Sequence, residues 1–539
     1  MNKLNMKQRK RLEDIGAILI KYGFEEVVKE IIPITARLRL RGLRPQIGDE
    51  GIYVRLREAL SELGPTFIKF GHYMRTRPDL LPPELVKELE LLPDKTREPI
   101  PYDEVKKIVV EKIGNIAEIF NEIKVVPLSS GSLSQKHVAT LKEGDKVVLK
   151  IKRPDISDVI DTDLKTLDII AQHAGKISAE LKLFNFPEVV KEFSMEIRKE
   201  LDFVDEGKSA ELLSKEMAEF TKIRVPRIYW KYTSEDILVI EYIEGIAIDH
   251  VDEITSMGVN TKELALLCIR AYLKQIFIDG FYHGDPEQEN LIVTSGGELA
   301  FIDFGLMGIL RRGKRGLFTQ LMVAAYEDDA DEVIRSMMGL GLWGRNEDRD
   351  LLNDDIYIVL KEAKLKTSYV SGNKLANIVT AVRKRDLGLP MQSMLAINTL
   401  LKVDLNMKAL YPDFKLMEET NSYLRETTIQ RAMDLDNIRK SGSSFLDTIQ
   451  SSKDLPQHMN DALLTITEGP IHFKLDYENL DNLSKSVDNA TYRILIAVAL
   501  VILSSQNITI FNFPMGTLIA YLLAVSLGAF AVYKLFIIK

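Results

Sequence analysis

The sequence predicts an α/β (α+β) fold of two lobes, with a helical extension ahead of it and a transmembrane helical hairpin behind it. Three observations predict it. From about Pro127 the chain runs as short β-rich segments separated by turn residues, and one of them carries a lysine among apolar neighbours. A helical stretch, Leu264 to Phe281, then leads into two short motifs built on Asp, Asn and Gly. The chain ends in two long apolar stretches joined by a turn bearing Pro514 and Gly516.

At 539 residues the chain exceeds one typical domain, which implies two or three units around a large core. Hydrophobic residues make up 46% and charged residues 28%, the balance of a globular rather than a disordered protein. A net charge of −8 implies no general affinity for nucleic acid. The single cysteine, Cys268, cannot form an intrachain disulfide and belongs to no metal-type cluster. In its apolar helical run it reads as a core residue, and a reducing compartment fits it. No fixed-period repeat is present, so a solenoid is excluded.

The N-terminus has a basic start but neither a long apolar run nor a small-residue cleavage site, so it does not read as a secretory signal. Leu12, Ile15, Leu19 and Tyr22 recur at helical spacing behind Lys7, Arg9, Lys10 and Arg11. Two readings compete: a helix packed on its own domain, or one lying on an anionic membrane assisted by Arg37, Arg39, Arg41 and Arg44. At the other end, Thr517 to Ile538 is almost wholly apolar, interrupted by Ser526 and Lys534. About 20 such residues cross a bilayer core. The preceding stretch, Ile494 to Phe511, contains Ser504, Ser505, Gln506 and Asn507 and is marginal alone. A hairpin shelters those polar groups against the second helix. Ala520, Ala524 and Gly528 form a small-residue row suited to contact within the hairpin or between chains, so a homodimer is one expectation.

In the β-rich region Ser129, Ser130, Gly131 and Ser132 form a small-residue loop. A turn at Glu143-Gly144-Asp145 leads into Val147-Val148-Leu149-Lys150-Ile151. Because a strand alternates faces, Lys150 points away from Leu149 and Ile151, toward a cleft. A run at helical spacing then carries Glu200, Asp202 and Glu206. Ile237 to Ile243 reads as a strand, and Glu244-Gly245 as the hinge between lobes. His283-Gly284-Asp285 and Asn290 follow the helical stretch, and a short strand ends in Phe301-Ile302-Asp303-Phe304-Gly305.

The chemistry that needs this set is phosphoryl transfer. Negative charge spread over a transferring phosphate calls for a lysine on the phosphates and for carboxylate or amide oxygens on magnesium. Lys150 suits the first task, and Asp303 and Asn290 suit the second. Asp285 is the candidate base or substrate-orienting group. Each motif is common by itself. The order of loop, strand lysine, acidic helix, hinge, Asp-x4-Asn and Asp-Phe-Gly is that of protein kinases.

The match then becomes specific, because the chain resembles the UbiB (AarF/ADCK) family over roughly Ser61 to Leu310. Leu63-Gly64-Pro65-Thr66-Phe67-Ile68-Lys69-Phe70-Gly71-His72 is similar to the family's KxGQ motif except at its last position. Thr76 to Glu84 resembles the flanking pattern. The family's alanine-rich loop corresponds to Ser129–Ser132, its VAVK lysine to Lys150 and its ExD motif to Glu200 and Asp202. By position Glu206 resembles the acidic partner of the strand lysine, and Glu200 is the alternative. The resemblance implies that the KxGQ segment lies over the active site with Lys69 on the ExD carboxylates, where a protein kinase admits its peptide. No Ala-Pro-Glu follows Asp-Phe-Gly to anchor such a peptide. Instead a basic cluster, Arg311, Arg312, Lys314 and Arg315, is either solvated or meets membrane phosphates.

Three departures stand out. His72 replaces the family glutamine, and Ser129, Ser130 and Gly131 stand where alanines are usual. Glu287, Gln288 and Glu289 replace His-Pro-Gly ahead of Asn290, and they either face solvent or tune magnesium binding.

The expected divisions are an amphipathic basic region (1–60), a KxGQ-type extension (61–125), an N-lobe (126–245), a C-lobe (246–345), a helical extension without recognisable motifs (346–489) and the membrane hairpin (494–538). The resemblance implies an integral membrane protein whose kinase-like part lies in the cytoplasm. It implies a site for ATP or ADP with Mg2+, and membrane lipids with an isoprenoid lipid or its biosynthetic enzymes as partners. The expected activity is ATP hydrolysis or phosphoryl transfer supporting isoprenoid-lipid or quinone-type metabolism. The rivals are a conventional Ser/Thr protein kinase and a non-catalytic lipid-binding scaffold stabilised by nucleotide.

Overall fold

The computed structural model describes residues 6–427, apart from 32–43, 46–49, 78–79, 94–97, 178–185, 343–345, 366–373 and 386. The hairpin expected over 494–538, with Ala520, Ala524 and Gly528, lies outside the described residues, as do Arg37, Arg39 and Arg41. Among the described residues no helix is long and apolar enough to cross a membrane.

The first lobe is an antiparallel sheet ordered β1 (Phe120–Ile123), β3 (Ser134–Leu141), β4 (Lys146–Lys152), β6 (Ile237–Glu241), with β2 (Ser129–Ser130) paired to the first residues of β3. Strict alternation along β3 buries Gln135, His137, Ala139 and Leu141 and leaves their neighbours half-buried. One face of the sheet presents Leu141, Val147, Leu149, Ile151, Ile237 and Val239 to Val105 and Val109 of a covering helix, Tyr102–Lys112. The opposite face carries Val148, Leu238 and Ile240 against Phe203. The same pleat puts Lys136 and Lys150 on that second face, directly across from each other in the β3–β4 register.

Glu200, Asp202 and Glu206 do not share a helix, contrary to the sequence reading. One helix, Phe186–Glu200, stops at Glu200, and another, Phe203–Glu216, starts three residues later. Asp202 sits between them as the N-cap, its Oδ1 accepting from Val204 N at 3.0 Å and Asp205 N at 3.4 Å. A cap of this kind stabilises a helix start by about 1 kcal/mol. The break reorients the chain, so Glu200 and Glu206 serve different neighbours.

Between the lobes, Gly245 passes so close to the second lobe that a Cβ would lie 2.5 Å from Val293 O and 2.5 Å from Ile292 Cγ2. The second lobe holds a small sheet in which β9 (Leu291–Val293) pairs with β10 (Leu299–Phe301), flanked by β5 (Ile223–Arg224) and β7 (Ile246–Ala247). Its central helix, Thr261–Leu273, is capped by Asn260 and buries Cys268 fully. The helical pattern expected to run to Phe281 ends sooner. Residues Lys274–Asp279 form a π-helical turn, Gly280 takes a left-handed φ of 75°, and Phe281 opens β8 (Phe281–His283). Strand β8 pairs with β11 (Met307–Ile309). The region beyond 345, motif-free in sequence, supplies the helices Asn346–Leu365, Lys374–Lys384 and Met391–Leu410. Their apolar residues, Leu352 to Leu410, join the same buried cluster as Cys268 and Phe301.

The N-terminal helix, Met6–Lys21, is packed on the protein, with Leu12 and Ile15 buried. Arg11 locks it there: Nε donates to Asp163 Oδ1 at 2.6 Å and Nη2 to Leu63 O at 2.6 Å. Asp163, fully buried on the helix Ile156–Ile177, also accepts from Thr66 Oγ1 at 2.6 Å. Thr66 lies in the first turn of the helix Pro65–Arg75, so the network fixes three helices at once. Of the basic cluster near Arg312, Lys314 donates to Gly339 O at 2.8 Å and Arg315 to Ile278 O, while Arg311 and Arg312 face solvent.

Two predictions follow from packing and charge. Gly245→Ala forces the added methyl into Val293, and overpacking of this kind costs about 1–3 kcal/mol; a lowered thermal midpoint checks it. Glu216 has a side-chain oxygen, Oε2, that is buried with no hydrogen-bond partner. Burial, with Asp279 beside it and against the pull of Lys274, pushes its carboxyl up to about 7. A folded pKa above the unfolded one gives stability that is complete below about pH 4.5 and is lost as pH rises through 7. Glu216→Gln therefore raises the thermal midpoint at pH 8 and gives a smaller or no gain at pH 5, in parallel melts.

Candidate active site

The strand lysines define the site. Lys150 is 7% exposed and Glu206 5%, and Lys150 Nζ donates to both Glu206 oxygens at 2.7 and 2.8 Å. Asp303 Oδ2 lies 3.6 Å from Lys150 Nζ and accepts from Lys136 Nζ at 2.9 Å. Two like charges opposite each other on adjacent strands repel, and Asp303 and Glu206 together neutralise them. Burial works against the charge on Lys150, yet Asp303 and Glu206 hold its pKa above the ordinary lysine range. Burial likewise pulls Asp303 upward, but Lys136 and Lys150 overcome it and hold the carboxyl well below the usual value. The face of Phe203 lies 5.3 Å from the Lys150 ammonium and adds a cation–π contact. Glu206, not Glu200, is the partner of Lys150.

Glu200 is instead bound by Lys69, from the helix Pro65–Arg75 that follows Gly64 and begins with a proline at its first position. Burial opposes the charge on Lys69, and Glu200 and Asp303 raise its pKa in spite of it. The expected contact of Lys69 with both carboxylates is therefore made with Glu200, while Asp202 is committed to its cap. Gly71 of the same helix faces Leu92 so closely that a Cβ would fall 2.2 Å from Leu92 Cδ1. His72 points to the same segment, with Nε2 3.5 Å from Leu92 O.

The chain leaving β8 at His283 carries Asp285 and Asn290. His283 is buried, which lowers its pKa, and its Nε2 lies 2.5 Å from Asp303 O. Its backbone N donates to Oε1 of Gln275 at 2.9 Å, a side chain aimed by the π-helical turn. Asn290 Nδ2 donates to Asp285 Oδ2 at 3.1 Å. On the other side of that carboxylate, Lys402 Nζ lies 3.3 Å from Oδ1 and 2.5 Å from Glu287 Oε1. Arg75 Nη2 donates to the same Glu287 oxygen at 3.1 Å. Glu287 is thus ion-paired rather than solvated, whereas Gln288 and Glu289 are exposed.

The small-residue loop is a tight turn: Gly131 N donates to Ser134 O at 2.9 Å. Arg153 braces it, donating to Gly131 O at 2.9 Å and to Ser130 Oγ at 2.7 Å. Ser129 pairs with Lys136 in the sheet, and Ser132 is buried.

Sequence reasoning missed Lys136, Arg153, Arg75 and Lys402. For Lys136 a signal was available, since β3 alternates and Lys136 shares the phase that Lys150 occupies on β4. For Lys402 the trace is fainter: Asn398, Lys402 and Asn406 recur every four residues along one helix.

The residues present fit a nucleotide with magnesium. Asp303 offers a carboxylate and Asn290, its amide nitrogen already spent on Asp285, an amide oxygen. Among the described residues no cluster of three or more His, Cys, Asp and Glu could cage a metal. Mg2+ suits such a sparse set, because it takes one or two protein oxygens and completes its shell with phosphates and water.

Comparison with known proteins agrees. The profile of the ABC1 atypical kinase-like domain matches residues 94–337. A probable protein kinase UbiB from Marinobacter nauticus is 31% identical over 77% of this chain and 77% of its own length. An uncharacterized protein of Synechocystis is 30% identical over 89% of this chain and 83% of its own. The chloroplastic protein ACTIVITY OF BC1 COMPLEX KINASE 8 of Arabidopsis thaliana is 35% identical over 53% of this chain, which spans 38% of that relative. This chain belongs to the ABC1/UbiB family of atypical kinase-like proteins.

Proposed function

We propose that the chain is a membrane-associated, ATP-dependent kinase-like enzyme, an ATPase or phosphoryl-transfer catalyst that supports isoprenoid-lipid or quinone-type metabolism. The observation that carries the reading is the constellation of buried Lys150 and Glu206 with half-buried Asp303 and Lys136, and with Lys69 reaching Glu200 beside it. A scaffold would have no use for a buried lysine and a half-buried one held against a metal-binding type of carboxylate.

In this reading Glu206 holds Lys150 toward the phosphates, and Asp303 and Asn290 hold Mg2+. The bound nucleotide and metal supply the transferable phosphoryl group and the positive charge that disperses its developing negative charge. Lys136 donates to Asp303 Oδ2 at 2.9 Å and would have to give up that oxygen to a cation held there. Asp285 orients the attacking hydroxyl or water. Ser129, Ser130, Gly131 and Ser132 line the turn that approaches the phosphates, with Arg153 keeping its carbonyl and hydroxyl groups in place. Lys69 spans from its helix to Glu200 on the route by which a peptide would enter, which favours a small or lipid substrate over a protein one. The membrane hairpin over 494–538 would bring the site to the bilayer. Support for the lipid class comes from the family, and partners among lipid-biosynthetic enzymes are proposed on the same ground.

The test is Mg2+-dependent ATP hydrolysis by the full chain in anionic liposomes, with and without a phenolic isoprenoid lipid. Lipid-stimulated turnover should fall about 100-fold or more in Asp303→Asn, a loss typical of removing a charge made essential by the transition state. Nucleotide binding without turnover under every lipid condition would overturn the enzyme reading and favour the scaffold. Lys150→Ala carries a second effect, because it leaves Glu206 buried without its cation. Breaking such a pair costs on the order of 3–5 kcal/mol, so its thermal midpoint should drop well below that of the double variant Lys150→Met/Glu206→Gln.

A further inference from the structure

Lys402 belongs to none of the motifs, yet its ammonium ends on the loop that carries Asp285. The helix that bears it, Met391–Leu410, is pinned both to that loop and to the end of the Lys69 helix. Asn406 Nδ2 donates to Pro286 O at 2.8 Å, Thr399 Oγ1 to Gly284 O at 3.4 Å, and Asn398 to Thr76 O at the end of the Lys69 helix. The result is a carboxylate held from both sides. Asp285 Oδ2 accepts from Asn290 at 3.1 Å within the loop, and Oδ1 faces Lys402 at 3.3 Å from a helix 117 residues further on. Glu287, two residues from Asp285, is a potential repelling anion. Lys402 at 2.5 Å and Arg75 at 3.1 Å neutralise it.

We infer that Lys402 is a positioning residue for the reaction, fixing the orientation of the Asp285 carboxylate and shielding it from Glu287. The inference rests on the reading of Asp285 as the group that orients the attacking hydroxyl or water. Its physical basis is geometric. A carboxylate anchored at one oxygen alone swings about its terminal torsion, and an error of about 1 Å in a reacting group can cost on the order of 100-fold in rate. Lys402 adds the second anchor. It does so from a segment outside the kinase-type motifs, which makes the C-terminal helical region part of the catalytic geometry rather than an appendage.

The experiment uses the full chain in anionic liposomes and compares wild type with Lys402→Met, Lys402→Arg, Lys402→Met/Glu287→Gln and Asp285→Asn. Steady-state kcat and KM for ATP are measured beside the affinity for a fluorescent ADP analogue and the thermal midpoint. Lys402→Met should lower kcat about 10–100-fold while KM and analogue affinity stay within about threefold. Lys402→Arg should restore most of the rate, and the double variant part of it, since the anion that Arg75 alone would then shield is gone. A merely structural lysine would instead move the midpoint and all constants together, with no rescue by the double variant. That pattern, or a Lys402→Met rate within about threefold of wild type, overturns the inference. The controls separate the two levels of failure. An active wild type with an inactive Asp285→Asn and an unaffected Lys402→Met sinks the role of Lys402 alone. Turnover by Asp285→Asn equal to wild type, or a wild type without turnover, removes the reading of Asp285 and this inference with it.

Discussion

Two lysines, one buried and one half-buried, face each other across adjacent strands, and the first lobe is arranged around that fact. Lys136 and Lys150 share a pleat because the β3–β4 register pairs them. Left alone they would repel and resist desolvation. Glu206 and Asp303 come from two different parts of the chain to neutralise them, one from the helix after Asp202 and one from the loop after β10. Any conformation that withdraws either carboxylate leaves a buried charge exposed to its own kind. The lobes are therefore coupled through electrostatics as well as through the hinge at Gly245.

The same logic sorts the acidic residues. Glu200 and Glu206 are six apart and would lie more than one turn from each other on a continuous helix. The interruption at Asp202 turns them to separate cations, Lys69 and Lys150. Asp202 performs the interruption through its own side chain, so a residue chosen for its charge acts through its hydrogen-bonding geometry. Polar satisfaction of the next helix took priority over the cation.

How much of this was legible in the sequence depends on the length scale of each signal. Strand alternation is local, and it placed Lys150 against the cleft and Leu149 and Ile151 against the core. The Asp-Phe-Gly and Asp-x4-Asn spacings are local too, and Asn290 does meet Asp285. The helix break was missed because Glu200, Asp202 and Glu206 also satisfy a helical period. The π-helical turn was missed because its one-residue offset leaves apolar periodicity nearly intact, although it decides where Gln275 points. For Glu287 the sequence left open solvent or magnesium, and its actual partners, Arg75 and Lys402, were out of reach because they lie far along the chain on either side. Charge pairing at that range leaves no mark on the sequence between them.

The Arg11–Asp163–Thr66 network bears on where this protein can be cut. The motifs begin near residue 61, and a tempting minimal fragment would start there. Such a fragment would remove the guanidinium that Asp163 depends on while keeping the carboxylate sealed beneath the Lys69 helix. The excised unit would carry its defect directly under the helix whose Lys69 pairs with Glu200. Modularity by motif and modularity by charge therefore draw different boundaries, and in this chain the second includes the first helix.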